Sequence, residues 1–126
     1  MRAVDSNVLI RLITGDDAKE TEAAEHFIDR GSWVSILAIA ETVWVLKKGY
    51  QRSAADVASA VQMLLNHEDL VLQDSDAVAA ALTLFRSRPS LGFSDCLMLQ
   101  LARKAGHLPL GTFDRALGSV EGAQKL

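Results

Sequence analysis

The stretch WVSILAIAETVWVLKK, residues 33–48, decides the fold class of this chain. Its first four residues are mostly β-branched or aromatic and predict a strand at Trp33–Ile36. The remainder predicts a helix from about Leu37 to Lys48, with Gly49 at the C′ position that ends it. A short apolar strand that leads directly into a helix is the repeating unit of a parallel sheet.

The same alternation continues on both sides of this stretch. Further strands are predicted at Arg2–Val4, Leu70–Leu72 and Pro109–Phe113, with a short edge strand at Ala123–Leu126. One or two helical turns are predicted at Asn7–Ile13, and helices at about Ala18–Asp29, Ala77–Arg86 and Ser94–Ala105. A further helix is capped by Ser53 and carries Val57, Ala60, Val61, Leu64 and Leu65. Because parallel sheets are covered by helices on both faces, we expect an α/β protein. The predicted fold is a three-layer α/β/α sandwich around a central, mainly parallel sheet of four or five strands, as one domain over residues 1–126.

Composition is that of an ordinary globular protein, with 49% hydrophobic and 23% charged residues among 126. The single cysteine, Cys96, excludes an internal disulfide and a multi-cysteine zinc site. Asp5 comes too early for a secretory apolar segment, and no apolar run approaches the ~20 residues of a membrane span. We therefore expect a cytoplasmic protein with no membrane partner.

Net charge argues mildly against a nucleic-acid partner, because it is −3 and most such domains carry a basic patch. The objection weakens if four acids belong to a metal site, since 13 basic and 12 acidic residues then remain. Charge alone does not decide the partner.

Four carboxylates stand where the pattern asks for apolar side chains or where strands end. Glu41 lies in a helix that is apolar on almost every side, so we expect it to be buried, and a buried carboxylate needs a cation or a Lys or Arg partner. Asp95 lies in the apolar run Leu91–Leu99. Asp5 follows the first strand and Asp114 the fourth. Asp5 and Asp95 have an alternative role as helix caps.

The positions of these acids favour a shared site. Ligands of parallel α/β sheets bind at the carboxyl ends of the strands, and several carboxylates in one cleft repel unless cations intervene. Mg²⁺ and Mn²⁺ prefer such oxygen ligands. A metal-activated water attacking a phosphodiester fits this site, because the chain offers no Ser/His/Asp or Cys/His set for nucleophilic catalysis.

Four short motifs resemble those of PIN domains, in the same order and over essentially the whole chain. They are Val4-Asp5-Ser6-Asn7-Val8-Leu9, Ala40-Glu41, Phe93-Ser94-Asp95-Cys96-Leu97 and Thr112-Phe113-Asp114-Arg115-Ala116-Leu117. Ser6 stands where Thr is usual, and Cys96 where Ala is usual.

The resemblance implies a Mg²⁺- or Mn²⁺-dependent endoribonuclease. It implies that Asp5, Glu41, Asp95 and Asp114 are the catalytic metal ligands, with supporting roles for Asn7, Thr112 and the Ser6 hydroxyl. The size of the chain is similar to that of VapC-type toxins of toxin–antitoxin pairs. That similarity implies an RNA substrate, a homodimer, and a small antitoxin whose tail fills the acidic groove.

Other residues are weighed by their chemistry. The candidate phosphate contacts are Arg115, which adjoins Asp114, and Arg11 and Arg86. Trp33 and Trp44 are expected to pack in the core or at a dimer contact rather than to stack on RNA. Cys96 is expected to pack as a small apolar residue.

Three competing functions stay open to different degrees. A phosphoacceptor receiver domain is disfavoured, because Asp5 is followed by Ser-Asn and the chain has no Lys-Pro. A PIN nuclease of RNA maturation and a catalytically idle, RNA-binding PIN protein are the remaining alternatives.

Overall fold

The computed structural model describes residues 1–126 and contains short strands alternating with helices. In chain order the elements are β1 (Arg2–Val4), α1 (Ser6–Thr14), α2 (Ala18–Ile28), β2 (Ser32–Val34), α3 (Ile36–Lys48), α4 (Ala54–Asn66), β3 (Leu70–Leu72), α5 (Ser75–Ser87), α6 (Phe93–Ala105), β4 (Leu110–Thr112), α7 (Arg115–Gly118) and β5 (Ala123–Lys125). A single 3₁₀ turn, Pro89–Leu91, precedes α6. These elements form two compact units, Met1–Ser75 and Asp76–Leu126. That the two make one domain stays a prediction.

The N-terminal unit is built on three parallel strands in the order β1-β2-β3. Ala3, Trp33 and Val71 stand in register across it. The pairs α1–α2 and α3–α4 make the crossovers that parallel neighbours need. Strands β2 and β3 bury their first and third residues, as a pleated strand with one covered face does, whereas β1 buries only Val4. The core around them is almost fully buried and consists of Leu9, Ile28, Val34, Ile39, Leu46, Val61 and Leu64.

The C-terminal unit combines two amphipathic helices with a parallel pair of strands. Phe85 of α5 and Phe93 of α6 meet edge to face, with ring centroids 5.9 Å apart. This geometry is favourable for two aromatic quadrupoles. Strand β4 pairs with β5 in the register Leu110 to Ala123, and the short helix α7 connects them. Leu117 of α7 is buried in this unit.

The α/β class with parallel strands is confirmed, but the strand pairing differs from the prediction. We expected one central sheet of four or five strands, whereas the five strands pair as one sheet of three and one of two. Strand β5 follows β4 after only ten residues, so the loop entropy of closing this pair is small. Helix α7 was not predicted, since four residues are too few to show a periodicity.

Two boundaries near α3 also differ from the prediction. Strand β2 ends at Val34 instead of Ile36, because the Ser35 hydroxyl accepts a hydrogen bond of 3.0 Å from the Ala38 N–H and caps the helix. At the other end Gly49 has a right-handed conformation, with φ −81°. The left-handed residue after α3 is Gln51, with φ 52°.

Candidate active site

Asp5 lies between the end of β1 and the start of α1 and is the N-cap of that helix. Its Oδ1 accepts a hydrogen bond of 3.2 Å from the backbone N–H of Val8. The capping role proposed as an alternative for Asp5 is therefore confirmed. The second carboxylate oxygen accepts no hydrogen bond and the side chain is exposed, so capping leaves it available to a ligand.

Glu41 is exposed, and the expectation that it is buried is wrong. Helix α3 buries one face, which consists of Ala38, Ile39, Thr42, Val43 and Leu46. Glu41 belongs to the opposite stripe, where large apolar residues also remain in solvent. It makes no hydrogen bond or ion pair, and in water an unpaired carboxylate carries little desolvation cost. The need for a compensating partner therefore no longer follows from burial.

Asp114 repeats the arrangement of Asp5 in the C-terminal unit. It follows β4 and caps α7, and its Oδ1 accepts hydrogen bonds from the N–H groups of Ala116 (2.8 Å) and Leu117 (3.3 Å). Its own N–H donates to the Thr112 hydroxyl at 3.0 Å. Thr112 thereby holds the turn that carries Asp114, whose Oδ2 accepts no hydrogen bond.

Asp95 lies in the first turn of α6 and is half-buried. Gly92 is the N-cap of this helix, so the alternative role of Asp95 as the helix cap is wrong. Burial, together with the neighbouring Asp95 carboxylate, raises the pKa of the Cys96 thiol to about 11. Cys96 is fully buried and protonated at neutral pH, and it packs as expected.

The sequence profile of the PIN domain matches residues 2–123. The chain belongs to the PIN-domain family. Comparison with curated proteins and with solved structures finds no match. PIN domains are typically nucleases, so membership indicates a hydrolase that acts on nucleic acids. No helix of this PIN domain has the length and apolar character needed to cross a membrane.

The donor atoms of the PIN domain suit a hard cation in their chemistry. All four candidate ligands are carboxylates, which Mg²⁺ and Mn²⁺ prefer. No group of three or more His, Cys, Asp or Glu side chains in the structure is close enough to hold a metal ion. The candidate ligands fit the ion by the type of their donor atoms.

The supporting residues beside Asp5 have different surroundings. Ser6 is buried at the start of α1, whereas Asn7 is exposed and lines a cleft of about 330 Å³ together with Arg11, Glu20 and Phe27. Neither side chain hydrogen-bonds to Asp5. Their supporting roles in the PIN domain stay predictions.

The three candidate phosphate contacts differ in how far their charges are already paired. Arg11 donates to Glu20 at 2.6 Å and to Asp16 at 3.0 Å, and the hydrogen bond to Glu20, followed by that to Tyr50, raises its pKa. Arg86 is exposed in the last turn of α5. Arg115 is exposed beside Asp114. Arg115 is thus the best-placed arginine for a phosphate.

Two features of this PIN domain were not anticipated from the sequence. Trp44 is 61% exposed, so core packing is wrong for it. Tyr50 donates a hydrogen bond of 2.7 Å to Asp16, which completes a cluster with Arg11. No sequence signal indicates the exposure of Trp44, because α3 is apolar on almost every side. No local spacing indicates the cluster around Tyr50, because Asp16 and Arg11 precede Tyr50 by 34 and 39 residues.

Proposed function

We propose that this PIN domain is a Mg²⁺- or Mn²⁺-dependent endoribonuclease whose metal ligands are Asp5, Glu41, Asp95 and Asp114. The observation that carries the proposal is the family match over residues 2–123, with an acid at each of the four motif positions. Glu41 and one oxygen each of Asp5 and Asp114 take part in no hydrogen bond. These oxygens are free to bind a cation.

The chemistry that a bound divalent cation supplies is activation of water for attack on phosphorus and neutralisation of charge on the phosphate. The chain contributes orientation. The N–H of Val8 fixes one carboxylate oxygen of Asp5, and the N–H of Ala116 fixes one of Asp114. The second oxygen of each carboxylate is left for the cation. Arg115 neutralises a neighbouring phosphate. Hydrolysis then forms one new bond from the water oxygen to phosphorus, and the ribose oxygen leaves and takes up a proton.

The biological role that we propose is that of a VapC-type toxin in the cytoplasm, on the basis of the four motifs. Its partners are an RNA substrate, a second copy of the chain and a small antitoxin that blocks the acids. A small protein that is encoded next to this chain and inhibits its cleavage of RNA would support the role. A nuclease of RNA maturation would act without such an inhibitor.

The nuclease proposal is tested with purified protein and total cellular RNA in Mg²⁺ or Mn²⁺. Loss of a group that merely supports a metal ligand lowers metal affinity or activity about 10- to 100-fold. We expect a larger loss of cleavage activity from each substitution of a proposed ligand: Asp5→Asn, Glu41→Gln, Asp95→Asn and Asp114→Asn. The control is Glu22→Gln, an exposed acid of α2, which should cut normally. Cleavage that persists in excess EDTA, or in Asp5→Asn, would contradict the proposed mechanism.

A further inference from the structure

One face of α3 carries a tryptophan beside a proposed metal ligand. Leu37, Glu41, Trp44 and Lys48 are spaced four, three and four residues apart, so they share one side of the helix, here called the Trp44 face. All four are exposed, Leu37 by 75% and Trp44 by 61%. The opposite face is buried in the N-terminal unit. A large aromatic side chain therefore stands in solvent one helical turn from Glu41.

The charges at the end of α3 indicate which kind of partner this face fits. Lys47 and Lys48 occupy the last turn and Arg52 follows, all three exposed and without an ion pair. The helix dipole also stabilises cations at a helix C-terminus, but that interaction leaves their charged groups exposed to solvent. Charged residues are depleted in the centre of protein–protein interfaces, whereas cations beside an aromatic ring are typical of surfaces that bind single-stranded nucleic acid.

Distances along the helix agree with a nucleic-acid strand. At 1.5 Å per residue, Trp44 lies about 4.5 Å and Lys48 about 10 Å beyond Glu41 along the axis. A stacked strand rises about 3.4 Å per nucleotide. A base on the indole would then be one or two nucleotides from a phosphate at Glu41, and the next phosphates would reach the lysines.

We propose that Trp44 is a base-stacking residue for single-stranded RNA, holding an unpaired base next to the bond to be cleaved. Lys47 and Lys48 neutralise the phosphates on one side of that base. The inference rests on the proposed nuclease function for its choice of ligand. It adds a residue that selects RNA with unpaired bases near the cleaved bond, because paired bases offer no free face to the indole.

The test measures binding in the Glu41→Gln background, so that the RNA stays intact. The chain has two tryptophans. In one double variant, Trp33→Phe is added and Trp44 is the only fluorescent indole. In the matched control, Trp44→Phe is added instead and Trp33 is the only indole. A 12-nucleotide mixed-sequence RNA should quench the fluorescence of Trp44 and leave that of Trp33 unchanged. The same RNA in a duplex should quench neither.

Affinity gives the second readout of the same experiment. From the usual cost of losing one base–aromatic stack, Trp44→Ala should weaken binding of the single strand about 5- to 160-fold. Trp44→Tyr should retain most of the affinity, and Trp33→Phe all of it. Unquenched Trp44, or a Trp44→Ala variant that binds as tightly as its parent, overturns the inference.

Two further outcomes are decisive. If Trp44→Ala converts a dimer to a monomer in sedimentation without changing RNA affinity, the Trp44 face is a protein interface and the inference is wrong. Failure of the nuclease function is recognised separately, as absence of cleavage by the protein with Glu41 intact. Quenching of Trp44 without cleavage would support the stacking role and contradict the catalytic one.

Discussion

The Oδ1 atom of Asp5 accepts a hydrogen bond of 3.2 Å from the backbone N–H of Val8, so the side chain caps α1 and leaves its second oxygen free for the metal role that we propose. The two roles need different properties. Capping requires an acceptor oxygen, which asparagine also has, whereas a hard cation prefers the charge of a carboxylate. The roles can therefore be separated by substitution.

Asp5→Asn should keep the stability of the protein and lose its activity, because the amide oxygen can still accept from Val8. Asp5→Ala should lose both, at a cost of about 1 kcal/mol in the free energy of unfolding. Urea unfolding and RNA cleavage measure the two effects. Equal destabilisation by the two variants would show that charge, and not the cap, accounts for the contribution of Asp5 to stability.

Glu41→Gln should abolish stabilisation by metal without changing the stability of the metal-free protein. Glu41 makes no hydrogen bond or ion pair, so its charge contributes little to folding in EDTA. A ligand that binds only the folded state stabilises it by about 2.7 kcal/mol at 100 times its Kd. The melting temperature with and without Mg²⁺ measures the effect. A full rise in Glu41→Gln would remove Glu41 from the ligand set.

Arg115→Ala and Arg11→Ala should have different consequences, because only Arg11 is paired with acids. Arg115→Ala should weaken RNA binding in the Glu41→Gln background and reduce the slope of log Kd against log salt by about one. Arg11→Ala should lower the urea midpoint and change the salt slope little. An unchanged slope in Arg115→Ala would mean that this side chain does not contact a phosphate.

Tyr50→Phe should make the stability less sensitive to acid. The hydroxyl of Tyr50, followed by that of Thr14, lowers the pKa of Asp16 below its ordinary 3.8. The ionised carboxylate therefore stabilises the fold above that pH, and this contribution is lost as the pH falls through the folded pKa. Wild type should be more stable than Tyr50→Phe at pH 7, with the difference shrinking towards pH 2.

The pKa of Asp16 itself provides the direct measurement for this cluster. In a carboxyl NMR titration Tyr50→Phe should raise the Asp16 pKa, and Thr14→Val should raise it by a smaller amount. An unchanged Asp16 pKa in Tyr50→Phe would exclude the hydrogen bond as its cause.

Cys96 should resist alkylation in the folded protein at pH 8 and react readily in urea. Burial is the first cause of its raised pKa and the Asp95 charge the second, so Asp95→Asn should lower that pKa while the thiol stays protected by packing. Mass spectrometry after iodoacetamide treatment measures the modified fraction. Rapid labelling of the native protein would contradict the buried environment.

The sequence by itself determined the local structure of this protein. Strand Leu70–Leu72 and the Ser53 cap agree with the prediction, because strand preference and capping depend on residues only a few positions apart. The acids at the strand ends were equally visible, and with them the family. Asp5 and Asp114 lie after strands β1 and β4, as the sequence predicted.

Only the tertiary structure decided which surfaces are exposed and which distant side chains meet. Almost every side of α3 is apolar, so its pattern could not show that Glu41 and Trp44 face solvent; the packing of Ile39 and Leu46 into the core decides this. The pairing of the strands as sheets of three and two was also beyond local spacing. Burial and long-range pairing depend on contacts between residues far apart in the chain, and these contacts cannot be predicted from a short motif.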